Sequence, residues 1–435
     1  MIAAEPVAHD EASELARLTR HNLVSESFFS AFNGIYLGLA IFAAPVVAVT
    51  AVEVTPLELT VLVSAFPVGA FLGPLWAYLG RRWGMQTLVT QMAIWANIPL
   101  LLIFWIGKNE AALFTALITV SQLLNSAMRM GQSTLYRVMY AREMRGRVLG
   151  RLTFWSYVTL VPTILATGWL LEASREIYQV LYPLAGLCGL VGSWFYSTLQ
   201  VPRSAEPVVG SLSFRAGVQG VERILAQDRM YFLFQVSFFL SGSAFFMSTH
   251  VVLLLTQRTR AFAFGPFELA LWMTVVPQIL LALSSPAWGR ILDRLGIVYC
   301  RLLINVMMTV YLASYFFAID YGVLPLIFLG SIFQGLANGG GQLTWALASS
   351  HFAPRAEDVP LYNEIHFVLN GIRGLVMPWV GSIMFVLSQG PLSVLAATLM
   401  SLASIPVIVQ ALRLERTAAR DDVMPRAQGT TAKPE

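Results

Sequence analysis

Ionisable side chains lie inside long apolar runs of this sequence, where they could bind an anion. Arg373 lies in LYNEIHFVLNGIRGLVMPWVG, and Arg129 lies in LLNSAMRMGQSTLYR. A guanidinium presents five N–H donors in a planar fork that fits a carboxylate or a phosphate. We therefore take Arg373 and Arg129 as candidate contacts for a solute. The structural alternative for Arg373 is a pair with a carboxylate such as Glu26 or Glu364, and Arg129 could instead extend toward water.

Three further ionisable residues could gain and lose a proton within an apolar environment. His250 lies in SAFFMSTHVVLLL, and the imidazole side chain titrates near neutral pH. A hydrogen-bonded packing role is the commoner alternative for such a histidine. Glu26 and Glu364 lie near the ends of apolar runs, together with His366, where we expect the interface to solvate them.

Neutral polar residues also cluster in the apolar runs, among them Asn33, Asn338 and Gln342. The last two flank Gly339-Gly340-Gly341. For these glycines, helix packing through small residues is the favoured interpretation.

The composition indicates a membrane protein. Of the 435 residues, 57% are hydrophobic and 12% are charged, which is about half the charged fraction of a soluble domain. The apolar runs extend for about 20 residues, the length of a helix that crosses the hydrocarbon core. Barrel strands are shorter and alternate in polarity. The sequence therefore predicts an all-α membrane protein.

The hydropathy pattern predicts twelve transmembrane helices in two six-helix halves. The predicted spans are 27–50, 57–79, 86–107, 110–136, 152–171, 178–200, 230–256, 266–288, 299–319, 323–350, 361–388 and 391–412. The predicted domains are an N-terminal tail (1–26), a first half (27–200), a central loop (201–229), a second half (230–412) and a C-terminal tail (413–435). Phe214, Val218, Val221 and Leu225 recur at helical spacing and predict an amphipathic helix in the central loop.

The basic residues predict the orientation of these spans. If the N-terminus is inside, only four of the 28 Lys and Arg residues fall in outer loops, namely Lys108, Arg175, Arg258 and Arg260. Arg301 counts among the inner segments. This asymmetry predicts that both termini are cytoplasmic.

A short charged motif occurs twice, between spans two and three of each half. The second copy is WGRILDRLG, residues 288–296, and the first is LGPLWAYLGRRWG, residues 72–84. Gly73, Ala77 and Gly80 match Gly289, Asp293 and Gly296 at a common offset of 216 residues, close to half the chain. We therefore predict a tandem duplication, which in transporters places the substrate path between the two halves.

Twelve spans, a central loop and G-x-x-x-D-R-x-G in this position resemble the major facilitator superfamily. The resemblance extends over residues 22–414, and it implies a transporter in which spans one, four, seven and ten line a cavity. It therefore makes Asn33, Asn338 and Gln342 the neutral candidates for the substrate path. It also implies a conformational latch on the cytoplasmic side. The residues assigned to the latch are Gly73, Gly80, Arg81, Arg82, Gly289, Asp293, Arg294 and Gly296. Ala77 replaces the usual aspartate, so the latch would depend mainly on Asp293; the arginines could instead be positive-inside anchors.

We therefore expect a secondary active transporter that moves a small solute across a bacterial inner membrane by alternating access. Proton coupling stays open, and Arg129 and Arg373 favour an anionic or zwitterionic solute. The sequence is also compatible with transport of an inorganic or metal ion or of a drug-like compound, and with a receptor or scaffold that does not transport. H-E-x-x-H, G-x-S-x-G with triad partners and G-x-x-x-x-G-K-[ST] are absent, so we expect no enzyme. We also expect no cofactor, no resident metal, no nucleic acid partner and a monomer. The sequence leaves open a location in a specialised internal membrane.

Overall fold

The structure is a computed structural model that describes residues 5–140, 142–201, 222–256, 262–355, 358–388 and 390–427. These residues form helices joined by short connections, and they contain no β-strand. The predicted all-α class is therefore confirmed. The predicted amphipathic helix of the central loop lies mostly outside the described residues, but 222–227 are helical.

Seven long helices of the described chain precede the central loop. They are α1 (Glu5–Leu37), α2 (Pro56–Phe71), α3 (Gly73–Trp83), α4 (Met85–Leu102), α5 (Ala111–Met139), α6 (Arg142–Ala173) and α7 (Tyr178–Ser197). After α1 the chain continues through π-helical turns and a short helix, Ala44–Val47, to Val52.

Among the described residues that follow the central loop, there are five long helices. They are α8 (Arg229–Met247), α9 (Val276–Tyr321), α10 (Leu324–Phe352), α11 (Val359–Ser388) and α12 (Leu392–Ala427). Short helices, Val251–Thr256 and Pro266–Ala270, lie between α8 and α9.

The described chain divides into two compact units. The first contains 5–201 and 263–275, with Leu255 and Thr256, and the second contains 222–254 and the described residues from 276 onward. Within the first unit, Phe29, Leu88, Leu135 and Tyr196 belong to one buried cluster. In the second unit a cluster forms around residues that include Phe234, Phe238, Phe352 and Tyr362.

Nine helical segments of the described chain are long and apolar enough to cross a bilayer, or ten if the pair α2 and α3, bent by 54°, forms one span. One segment, Pro266–Tyr321, is 56 residues long and contains two of the predicted spans. The helix α10 is not among the nine; it carries Gln334, Asn338 and Gln342. The count of twelve therefore stays a prediction.

Two glycines with positive φ end the helices in the two charged motifs. Gly296 has φ 78° and ψ 169° and divides α9, and Gly84 has φ 84° and ψ 137° and separates α3 from α4. Glycine is favoured there because a Cβ atom destabilises positive φ. By sequence, Gly80 is the counterpart of Gly296, but it lies inside α3. The helix of the first motif therefore extends one turn further, to Trp83.

The glycine run between Asn338 and Gln342 packs helices together. A Cβ atom on Gly340 would lie 2.7 Å from two ring atoms of Trp288 on α9, and one on Gly339 would lie 2.3 Å from the Ser284 hydroxyl. Trp288 Nε1 donates to the Leu336 carbonyl at 2.8 Å. The close approach of α9 and α10 therefore depends on these glycines, as the packing interpretation expects.

Candidate functional site

Two buried guanidinium groups contact one phenyl ring inside the second unit. Phe238 comes from α8, Arg301 from α9 and Arg373 from α11. The Cζ atoms of Arg301 and Arg373 lie 4.4 Å and 4.2 Å from the centroid of the Phe238 ring. The two arginines are only 4% and 6% exposed, so both charges are withdrawn from solvent. The negative face of the ring stabilises a cation, although less than a carboxylate would.

Neutral groups supply the hydrogen bonds of Arg373. Its Nε and Nη2 donate to Asn370 Oδ1 at 3.1 Å and 2.6 Å, and its Nη1 donates to the Phe238 carbonyl at 2.7 Å. Gly242 makes room for this arrangement, because a Cβ atom there would lie 1.9 Å from Arg373 Nη1. The guanidinium is thereby fixed against α8.

Arg301 has fewer acceptors than Arg373. Its Nη2 donates to the Ser241 hydroxyl, while its buried Nε has no hydrogen-bond partner among the described residues. A buried donor without an acceptor is costly to a folded protein. Arg301 is therefore an incompletely satisfied cation in the interior of the second unit.

No carboxylate forms an ion pair with either arginine in the part of the chain that the structure describes. The one ion pair found there joins Arg175 to Glu53 at 3.4 Å, at an exposed position. Glu364, the alternative partner of Arg373 in its own unit, is exposed. The pairing of Arg373 with Glu364 is therefore not observed.

Further polar side chains lie on α8, α9 and α11 at helical spacing. His366 Nδ1 lies 3.2 Å from the Gln235 side chain, and the imidazole lies 4.5 Å from the Phe238 ring. Asn305, one turn after Arg301, donates to the Ser237 hydroxyl at 2.7 Å. The expectation that the interface solvates His366 is wrong. This residue of α11 is 1% exposed, because its side chain packs against α8.

Sequence reasoning assigned Arg301 to the cytoplasmic anchors, and the structure places it in the core of the second unit. Its position five residues after Gly296 made it look like part of the charged turn. The available signal was Asn305, which places a second polar side chain on the same face one turn later. That pair would have indicated a polar stripe on a buried face.

Glu26 is the notable acid of the first unit. The sequence predicted a solvated carboxylate, but Glu26 is 0% exposed, and the prediction is wrong because α7 and the end of α5 cover this part of α1. Tyr140 donates its hydroxyl to Glu26 Oε2, and Oε1 has no hydrogen-bond partner among the described residues. Burial and the Glu26 carboxylate raise the pKa of Tyr140, so its phenol keeps its proton.

The remaining candidate residues occupy different environments. Asn33 is buried, and Arg129 is half-buried in the first unit, near the phenols of Tyr36, Tyr136 and Tyr157. His250 is buried with its ring stacked at 5.6 Å on Phe385, as expected for a packing role. Asn338 is half-buried and Gln342 is exposed. The structure thus does not gather all candidates into one cluster.

The charged residues of the two motifs lie at the surface. Arg81, Arg82, Asp293 and Arg294 are exposed, and Gly73 is the first residue of α3. Asp293 and Gly296 border a cleft of about 420 Å³. The other lining residues are Leu292, Ile297, Leu347 and His351. The latch itself stays a prediction.

No group of three or more His, Cys, Asp or Glu side chains that could hold a metal ion occurs within the described ranges.

Solved structures share this fold, although sequence comparison finds no relative. No family model matches the sequence, and no curated protein matches it significantly. An aspartate-to-alanine mutant of the nucleoside transporter NupG has TM-score 0.70 at 13% identity, covering 91% of this chain and 99% of its own. The xylose transporter XylE from E. coli has TM-score 0.64 at 12% identity (91% and 98% covered), and the peptide transporter POT has 0.65 at 12% (92% and 95%). These three are members of the major facilitator superfamily, so the resemblance predicted from the motifs is confirmed at the level of the fold.

Proposed function

We propose that this protein is a secondary transporter that moves a small solute across a membrane by alternating access of its two halves. The observation that carries the proposal is the similarity of nearly the whole chain to transporters whose substrates are a nucleoside, a sugar and a peptide. A bacterial cytoplasmic membrane is the proposed location, with the small solute and the lipid bilayer as partners.

We propose twelve spans, with predicted halves 27–200 and 230–412. The segment Pro266–Tyr321 is 56 residues long, and a helix of that length would measure about 84 Å, far more than the hydrocarbon core of about 30 Å. The break at Gly296 allows it to cross twice. The positive-inside pattern supports cytoplasmic termini.

Cysteine labelling from the two sides of the membrane tests this topology. In a variant without Cys188 and Cys300, we expect Leu295→Cys to react only from the cytoplasmic side and Tyr321→Cys only from the outside. Both positions are exposed. Labelling of both from one side would reject a double crossing by this segment.

Glu26 is the favoured candidate for proton coupling. Glu26 is buried and has no cation partner among the described residues, so binding a proton stabilises it. Tyr140 supplies one hydrogen bond to the ionised form. His250 is a weaker candidate because its ring packs on Phe385, and Glu364 is weaker because it is exposed.

Asp293 is the favoured latch residue. It is exposed at the end of the first part of α9, three residues before the break at Gly296, where a helix movement would change its neighbours. The exposed arginines Arg81, Arg82 and Arg294 could act with it or only anchor the loops.

Uptake into proteoliposomes tests the transporter function. The panel contains nucleosides, sugars, dipeptides, carboxylates, phosphate, sulfate and metal ions, each with and without an imposed pH gradient. Arg175→Gln serves as a control variant, because Arg175 lies in an exposed ion pair. We expect saturable uptake of one class that protein-free vesicles lack. A solute that binds but is not taken up would favour a receptor.

A further inference from the structure

The second unit contains two buried cations whose charge no described group neutralises. Each guanidinium carbon lies within 4.4 Å of the Phe238 centroid, so the two are at most about 9 Å apart. Burying a charge is costly unless a group of opposite charge or a full set of hydrogen bonds compensates it. A structural arginine pair would be expected to have a carboxylate partner or acceptors for all its donors. The described residues supply Arg301 with no carboxylate; the Ser241 hydroxyl accepts from Nη2, and the buried Nε has no acceptor.

The polar groups around the two arginines also have unused hydrogen-bonding capacity. Arg301 Nε and His366 Nε2 are buried and have no hydrogen-bond partner in the described part of the chain. Arg373, in contrast, is held in place by Asn370 and by the Phe238 carbonyl. One oriented guanidinium beside one whose buried Nε has no acceptor suits an anion that accepts several hydrogen bonds at once.

We propose that Arg301 and Arg373 form a binding site for an anionic group of the transported solute, a carboxylate or an oxyanion such as phosphate or sulfate. The proposal rests on the transporter function proposed above and names the charge class of its cargo. Arg301 and Arg373 bind the anion, Phe238 supports both guanidiniums, and Asn370 is a positioning residue for Arg373. Because both arginines are almost fully buried, the solute enters in a conformation that exposes this site.

Anion binding to the purified full-length protein in detergent tests the site directly. The probes are sodium phosphate, sulfate and succinate, compared with chloride at equal ionic strength, and the readout is the midpoint of thermal unfolding. We expect at least one probe to raise the midpoint of the wild type and of Arg175→Gln. We expect Arg301→Gln and Arg373→Gln each to weaken the apparent affinity for that probe at least tenfold. Arg301→Lys keeps the charge but loses the planar fork, so we expect an intermediate affinity.

The proposal is rejected if no probe stabilises the wild type beyond chloride, or if both Gln variants retain the wild-type affinity. Loss of folding does not confuse the result, because each Gln substitution removes a buried cation that the Phe238 ring and neutral acceptors compensate only in part. We therefore expect the midpoints of these variants in chloride to equal or exceed that of the wild type. If a Gln variant does not yield folded protein, the affinity of Arg301→Lys for the anion probe is the deciding measurement. An affinity equal to that of the wild type rejects the site.

Uptake measurements separate this inference from the transporter function. Uptake of an anion that Arg301→Gln abolishes and Arg175→Gln retains supports both. Uptake of a neutral or cationic solute that Arg301→Gln leaves unchanged rejects the anion site and keeps the transporter. Anion binding that depends on both arginines, without uptake of the same anion, keeps the binding site but rejects its assignment to a transported solute.

Discussion

Arg301 and Arg373 come from different helices and place their guanidinium groups against the same phenyl ring, that of Phe238. Neither has a carboxylate partner among the described residues, so the ring and neutral acceptors provide the compensation. These contacts link α8, α9 and α11 through two charged side chains and the aromatic ring between them.

The Phe238 ring should stabilise the protein by more than the burial of its apolar surface alone would. Phe238→Leu removes two cation–π contacts, each worth about 0.5–2 kcal/mol depending on desolvation, so we expect a lower midpoint of thermal unfolding. Phe234→Leu is the matched control, because Phe234 is buried in the same cluster and no guanidinium of the described residues lies over its ring. Equal losses in the two variants would show that the cation–π contacts contribute nothing measurable.

The space beside Gly242 should decide the position of Arg373. Gly242→Ala places a methyl group on the present position of Arg373 Nη1, so the guanidinium must move while its charge remains. We expect weaker binding of the anion that stabilises the wild type, with a similar amount of folded protein. Gly150→Ala is the control, because no atom of the described residues lies within 4 Å of the added Cβ atom. Unchanged anion affinity in Gly242→Ala would mean that the position of Arg373 is not important for binding.

The hydrogen bond between Tyr140 and Glu26 should set the pH dependence of proton-coupled uptake. Burial and the carboxylate raise the pKa of Tyr140, so the phenol stays protonated and donates throughout the assay range. Tyr140→Phe removes a bond to the ionised carboxylate, which then keeps its proton to higher pH. We therefore expect the midpoint of the pH profile of uptake to move upward.

Two variants serve as references for this pH shift. Tyr178→Phe removes a buried phenol that donates to the Ile106 carbonyl instead, and we expect it to leave the midpoint in place. Glu26→Gln should abolish the pH dependence altogether. A profile that survives in Glu26→Gln would exclude this carboxyl as the proton carrier.

The positive-φ glycines should tolerate substitution less well than the helical glycine of the first motif. Gly84→Ala and Gly296→Ala force an L-residue into backbone conformations that only glycine adopts readily, at a cost of about 1–3 kcal/mol. Gly80→Ala keeps a helical backbone, displaces the flexible end of Met85 and brings the added Cβ atom within 3.3 Å of a Leu88 methyl group. We expect Gly80→Ala to lower the midpoint of thermal unfolding less than either Gly84→Ala or Gly296→Ala does. The reverse order would contradict the observed turn at Gly84.

The sequence by itself determined the helical membrane class, the position of most helices and the resemblance in fold. Apolar runs of about 20 residues leave the backbone few choices in lipid, so composition and length are sufficient for those conclusions. The glycine packing of Gly339 and Gly340 could also be anticipated, because small residues at helical spacing indicate close helix contacts.

Only the tertiary structure decided which charged residues are buried and what they contact. Arg301 and Glu26 both lie near the predicted ends of spans, where sequence cannot distinguish a solvated side chain from one covered by a neighbouring helix. Their burial depends on contacts between residues far apart in the chain, such as Arg301 with Phe238 and Glu26 with Tyr140. The turn at Gly84 rather than Gly80 was likewise beyond the sequence, because either glycine could adopt positive φ and packing selects between them.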